Sequence, residues 1–106
     1  MKTIEIDSGN KILVGNNAQE NFDIIDMSHG SSLWFHVHDL PSCHVILTGK
    51  DFTKDEIKLA AEICKTYSKY KNFNTISIQY VELRYVKKTE KIGMVSLIKN
   101  PSIIKV

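Results

Sequence analysis

The residues best suited to chemistry in this chain are concentrated at positions 31–47. This stretch contains the only tryptophan, one of the two cysteines and three of the four histidines, namely His36, His38 and His44. Imidazoles titrate near neutral pH and bind metal ions, so the stretch could serve acid–base catalysis, metal binding or ligand recognition. Successive strand residues point to opposite faces, which predicts that Trp34, His36 and His38 share one face.

The sequence leaves several interpretations of these histidines open. Zinc would need ligands beyond His36 and His38, and no matching pair occurs elsewhere, so we expect no metal and no cofactor. A small hydrolase or nuclease would use His36 with Asp39, although no nucleophile is indicated. Cys43 and His44 are adjacent, and their side chains should diverge on a strand. In the structural interpretation, His36 and His44 hydrogen-bond the backbone or Asp39 and hold the turn.

Strands and helices on both sides must position this stretch. Residues 33–37 and 43–47 read as strands around a turn at Pro41, with Trp34 and Phe35 in the core. Asn17 predicts the start of a short helix with Ala18, Phe22 and Ile25 inward, and Thr53 with Glu56 predicts a capping box for a long helix ending near residue 70. Further strands are predicted at residues 3–6, 11–14, 75–80, 82–88, 93–98 and 102–106. The pattern predicts one α+β domain over residues 1–106, an antiparallel or mixed sheet with one long and one short helix packed on one face.

Charge is unevenly distributed along a chain whose formal net charge is only +2. Residues 1–40 carry two lysines against six carboxylates, a net charge of −4, whereas residues 84–106 carry six basic side chains against one carboxylate, a net charge of +5. The asymmetry indicates an anionic partner or, alternatively, a surface whose two signs complement each other. No apolar run matches a membrane span or a signal peptide, so we expect reduced thiols, no membrane partner and a cytoplasmic location.

The central stretch closely resembles the motif of the NFACT-R family, which runs roughly D-[IL]-W-F-H-V-K-D-[IL]-P-G-S-H-V-[IVL]. The matching positions are residues 33–37, 39–41 and 44–46. His38, Ser42 and Cys43 stand where the family usually has lysine, glycine and serine. Weaker similarities occur in the family's order at residues 14–21, 60–69, 85–88 and 93–95, so the resemblance spans nearly the whole chain.

This resemblance implies a function that composition alone does not. NFACT-R domains are regarded as RNA-binding modules, and in large proteins they belong to factors that act with tRNA on stalled large ribosomal subunits. The resemblance therefore implies that the chain is a stand-alone, non-catalytic module that binds tRNA or rRNA. Binding of DNA is an alternative. The candidate nucleic-acid-binding residues are His36, His38, Asp39, Ser42, His44, Arg84, Lys87 and Lys88. Docking on a ribosomal or quality-control protein stays open, as does the His36–Asp39 hydrolase or nuclease.

Overall fold

Eight strands and two helices make up the fold, which is described over residues 1–106 in a computed structural model. The strands are β1 (Lys2–Glu5), β2 (Lys11–Val14), β3 (Leu33–Val37), β4 (Val45–Thr48), β5 (Ser77–Glu82), β6 (Val86–Lys88), β7 (Val95–Leu97) and β8 (Ser102–Lys105). The helices are α1 (Ala18–Asp26) and α2 (Lys54–Thr66). Six strands form one sheet in the order β1-β2-β4-β3-β5-β8, every pair antiparallel, and β6 pairs with β7 separately. The predicted α+β class is confirmed.

The long helix begins as the sequence predicts. Thr53 Oγ1 accepts a hydrogen bond from the Glu56 backbone N–H at 3.1 Å, and Glu56 Oε1 accepts one from the Thr53 backbone N–H at 3.1 Å. This capping box satisfies two N–H groups that a helix start otherwise leaves unpaired. The helix ends at Thr66, several residues before the predicted end, and its buried side includes Ala60, Ala61 and Cys64. Neither helix has the length and apolar character needed to cross a bilayer.

The two helices cover opposite faces of the sheet, so the prediction that both pack on one face is wrong. Phe35 and Val37 lie with α2 in one buried cluster, whereas Trp34 and Ile46 lie with Ile24 of α1 in another. The central strands carry apolar residues at consecutive positions, as in the buried run 45–47. Such runs make both faces of a sheet apolar, and each face then needs its own cover.

The predicted strand at residues 82–88 is also wrong as a single element. The chain leaves β5 at Glu82, forms one 3-10 turn over Leu83–Tyr85 and starts β6 at Val86. The Leu83 backbone N–H donates to the Ser32 carbonyl at 2.8 Å, which extends the β3–β5 register by one pair, and the chain turns away from the sheet after it. Leu83 and Val86 are both buried on the α1 side, because residues three apart in a 3-10 turn share one side.

Candidate nucleic-acid interface

Three aromatic rings form a compact cluster on the α1 face of the sheet. The Trp34 and His36 rings stack with centroids 5.5 Å apart and planes 13° from parallel. The His44 ring meets Trp34 edge-on at 5.3 Å and lies 5.4 Å from the His36 ring. Trp34 is 1% exposed and His44 is 3% exposed, so this cluster holds the β3–β4 hairpin from the inside.

The partners of these rings determine their tautomers. Trp34 Nε1–H lies 3.2 Å from His44 Nδ1, and an indole nitrogen can only donate, so His44 Nδ1 accepts and Nε2 carries the proton. His36 Nδ1 lies 2.6 Å from the Val37 carbonyl oxygen, which can only accept, so His36 Nδ1 carries the proton. His36 Nε2 is then an acceptor, and His44 Nε2–H is a donor.

Burial keeps both imidazoles uncharged near neutral pH. It lowers the pKa of His44 to about 3, with a further contribution from the neighbouring His36 ring. Burial also lowers the pKa of His36, although the hydrogen bond to the Val37 carbonyl opposes this shift. A charged imidazolium loses its hydration in such a site, and the neutral form is therefore favoured.

Asn21 of α1 positions the start of β4, and the predicted inward side of this helix did not include it. Its Oδ1 accepts the His44 backbone N–H at 3.1 Å, while the His44 carbonyl accepts the Gly15 N–H at 3.0 Å. The helix buries Asn21 and Ile24 and leaves the predicted Ala18 exposed. The signal for Asn21 was present in the family-like segment 14–21, which ends on this asparagine.

Asp39 pairs with His38, and His36 bonds the backbone, which is one of the two partners that the structural interpretation left open. The His36–Asp39 contact that the hydrolase alternative would use does not form. His38 lies just beyond β3, with Nε2 3.2 Å from Asp39 Oδ2 and Nδ1 3.1 Å from Gln79 Oε1. Asp39 has φ = 59° and lies in the turn that follows the strand. In this turn the Asp39 carboxylate points toward the adjacent His38 ring, whereas His36 hydrogen-bonds the carbonyl of its backbone neighbour Val37.

Ser42 closes the hairpin turn with its hydroxyl group. Ser42 Oγ accepts the Val37 backbone N–H at 3.0 Å and donates to the Cys43 carbonyl at 2.9 Å.

The Cys43 Sγ lies 3.9 Å from the Cys64 carbonyl of α2, on the side of the sheet opposite His44. Cys43 and His44 therefore diverge as expected for adjacent strand residues. No three His, Cys, Asp or Glu side chains converge as metal ligands would.

A cleft of about 500 Å³ opens over the aromatic cluster. One wall is the β3–β4 hairpin, and the other is β7 with the residues just before it. Its lining residues are Trp34, His36, Asp39, Leu40, Pro41, Ser42, His44, Gln79, Gly93, Met94, Val95 and Leu97. The structure thus brings together four predicted site residues, His36, Asp39, Ser42 and His44, while His38 lies outside the lining. The sequence did not indicate that β7 forms the second wall.

The predicted basic residues lie outside this cleft. They do not share a strand, since Arg84 is in the 3-10 turn and Lys87 and Lys88 are on β6. Arg84 Nε lies 3.0 Å from Glu82, and Lys88 Nζ lies 2.6 Å from Asp26 of α1. Lys87 is exposed and has no carboxylate partner. The β6–β7 pair connects these lysines with the cleft, because its first strand carries Lys87 and Lys88 and its second strand lines the cleft.

Comparison with known proteins agrees with this architecture. A family model described as the NFACT protein RNA binding domain matches residues 3–97. A Bacillus subtilis (strain 168) protein described as Rqc2 homolog RqcH is 33% identical over 89 residues, which are 83% of this chain and 16% of that protein. The protein of the same description from Streptococcus suis (strain 05ZYH33) is 34% identical over 79 residues, 73% of this chain and 14% of its own length. The chain therefore spans only a small part of these relatives' length.

A solved structure shows the same fold. It is described as the C-terminal part of the fibronectin/fibrinogen-binding protein from Streptococcus suis, and it superposes with a TM-score of 0.88 at 29% sequence identity. The match covers 99% of this chain and 44% of that chain. The match therefore extends over nearly the whole of this chain, with its eight strands and two helices.

Proposed function

Because this chain belongs to the family of NFACT protein RNA-binding domains, we propose that it binds structured RNA, tRNA or rRNA, without chemistry of its own. The observation that carries this proposal is the family match over residues 3–97. The description of the relatives as Rqc2 homologues supports a role in ribosome-associated quality control, in the cytoplasm. DNA binding and docking on a ribosomal protein are alternative outcomes of the experiments below.

In this proposal the basic residues beside β6 contact phosphates. Lys87 is exposed without a carboxylate partner. Lys99, which follows β7 in the sequence, has its Nζ 5.0 Å from the centre of the Tyr85 ring. Arg84 and Lys88 are ion-paired at the surface, where such pairs contribute only about 0–1 kcal/mol. A phosphate group can compete with such weak partners, and the counterions it releases make the affinity depend on salt.

The β3–β4 hairpin supplies the shaped part of the proposed RNA surface. Its aromatic cluster is rigid and uncharged, and its cleft opens beside the strand that pairs with the lysine-bearing β6. At the rim of the cleft, the Asp39 carboxylate contacts the His38 ring at 3.2 Å. We expect these residues to contact sugar and base edges, whereas the basic residues contribute most of the salt-dependent affinity.

Reversing the charge of Arg84 and Lys87 together should weaken tRNA binding by about tenfold or more at 0.1 M salt, since each residue contacts phosphate in this proposal. The slope of log affinity against log salt concentration should become shallower by about 1 to 2. Fluorescence anisotropy of labelled tRNA measures both quantities for wild type and for Arg84→Glu/Lys87→Glu.

The matched control is Lys54→Glu/Lys58→Glu, which changes the net charge equally on α2, on the opposite face of the sheet. This control should retain nearly wild-type affinity and slope. Equal losses in both double variants would mean that net charge alone governs binding. Unchanged affinity in Arg84→Glu/Lys87→Glu would contradict the assignment of the phosphate-binding surface.

A further inference from the structure

We propose that the cleft beside His36 is a nucleobase pocket that receives one unpaired base from a bound RNA. This inference rests on the proposed RNA-binding function and adds to it a site for a base, distinct from the phosphate-contacting residues. It is argued below from the walls of the cleft, the free hydrogen-bonding groups within it and the charges around it.

The cleft offers a flat ring on one side and apolar side chains on the other. The His36 ring lines it and is held in place by stacking on the buried Trp34 at 13° from parallel. Met94, Val95 and Leu97 line the facing wall. A planar base fits between a ring face and an apolar wall, because every base has a π-face that stacks without regard to sequence. The volume of about 500 Å³ lies within the range of small-molecule sites.

Two imidazole nitrogens at the cleft have no hydrogen-bond partner, and one of them can bind the edge of a base stacked on His36. His44 Nε2–H, a donor, and His36 Nε2, an acceptor, have no hydrogen-bond partner in the protein. No fully buried side-chain nitrogen or oxygen lacks a partner, so these two atoms are accessible, and both residues line the cleft. Nucleobase edges carry acceptors, so a base stacked on the His36 ring would accept from His44 Nε2–H, whose ring stands 78° from the His36 plane. His36 Nε2 lies in the plane of its own ring and serves the edge of a neighbouring group and not the stacked base.

The charges around the cleft favour a base over a phosphate. No lysine or arginine lines it, and its only acidic side chain is Asp39 at the rim. A phosphate would meet uncharged imidazoles and a carboxylate, whereas an uncharged base meets groups that can stack and hydrogen-bond. The backbone of the same RNA would follow the exposed Lys87 on the neighbouring strand.

The test compares pentaadenylate RNA with the same pentamer lacking its bases, which carries identical phosphates. Trp34 is the only tryptophan and lies directly beneath His36, so its fluorescence reports on this cleft. Wild type should bind pentaadenylate about tenfold more tightly than the abasic pentamer. Only the pentamer with bases should change the Trp34 emission.

His36→Leu removes the flat ring on which the base stacks while keeping an apolar side chain, and Met94→Ala shortens the facing wall at an exposed residue. Both variants should reduce the tenfold preference to within about twofold, since each removes one side of the pocket. The control His29→Leu changes the exposed histidine outside the cleft and should retain the full preference. Arg84→Glu/Lys87→Glu should weaken both pentamers equally.

Equal wild-type affinity for the two pentamers, with tRNA binding intact, would overturn the pocket while leaving RNA binding in place. A preference that survives in both His36→Leu and Met94→Ala would overturn it as well, because the bases would then bind elsewhere. Failure of the wild type to bind tRNA and both pentamers would reject the proposed function and this inference together.

Discussion

Trp34→Ala is expected to lower the free energy of unfolding by about 3–5 kcal/mol, because it removes the largest fully buried side chain of the α1-side core. It also removes the donor that occupies His44 Nδ1 at 3.2 Å and the ring that supports His36. A domain of this size commonly has a total stability of about 5–15 kcal/mol, so the loss is a large fraction of it. Urea unfolding followed by far-UV circular dichroism measures the change.

Met27→Ala is the control for this prediction, since Met27 is 62% exposed and its truncation should change stability by about 0.5 kcal/mol or less. Trp34→Phe should fall between the two, because it keeps a ring and loses the indole N–H. A loss in Trp34→Ala below about 1 kcal/mol would mean that the aromatic cluster does not hold the hairpin in solution.

Lowering the pH from 7.5 to 5 should cost about 2 kcal/mol of stability through His44 alone. An unfolded histidine has a pKa of about 6.5, while burial lowers the pKa of folded His44 to about 3. Above pH 6.5 the ring is neutral in both states and has no effect. Between pH 6.5 and 3 the unfolded chain takes up a proton that the folded chain does not, so stability falls as the pH falls.

The lowered pKa of His36 acts in the same direction and adds to this loss. His44→Asn keeps an acceptor for Trp34 and removes the titrating ring, so its loss of stability between pH 7.5 and 5 should be smaller than that of the wild type by about 2 kcal/mol. His29→Asn makes the same replacement at an exposed histidine outside the aromatic cluster and is measured alongside as the matched variant.

Urea unfolding at several pH values measures these differences. The His44 ring resonances in wild-type NMR spectra provide an independent check, since they should not titrate between pH 7.5 and 5. A normal titration of His44 near pH 6.5, or an equal loss of stability in His44→Asn and wild type, would contradict the buried neutral imidazole.

Local sequence signals predicted the elements around the site well. The Thr53–Glu56 capping box and the Asn17 helix start each depend on residues within a few positions of one another, whereas the turn lies at His38 and Asp39, just before the predicted Pro41. The burial of Trp34 and Phe35 also followed from their place in an apolar, aromatic strand. Short-range patterns carry this information because capping and turn formation are short-range interactions.

What the sequence did not predict depends on contacts between distant segments. The β3–β5 pairing extends to Leu83, whose N–H donates to the Ser32 carbonyl 51 positions away, and the Arg84 N–H then donates to the Gly30 carbonyl as the chain turns. The β6–β7 pair then folds over the α1 face and forms the second wall of the cleft. Alternation along residues 82–88 contains no sign of either event, and the resulting separation of the cleft from the basic residues could not be foreseen.

The candidate site shows the same division. His36, Asp39, Ser42 and His44 were grouped from a contiguous motif, and a hairpin necessarily keeps such residues close. Their chemistry depends on specific partners that the motif does not identify. The tautomers follow from Trp34 and Val37 in the same hairpin, and the His44 backbone is held by Asn21 of α1. The sequence left the backbone and Asp39 open as partners of His36, and strand alternation could not decide between them because Asp39 lies in a turn with positive φ that places it against His38.

The measurement that tests RNA binding most directly is a titration of the wild-type chain against tRNA, an unstructured RNA and duplex DNA across a salt series. The proposal predicts that tRNA binds most tightly. The logarithm of its binding constant should fall linearly with the logarithm of the salt concentration, with a slope of about one unit for each phosphate contact. Equal and weak binding to all three nucleic acids would contradict it, and the basic residues beside β6 would then be a solvated surface.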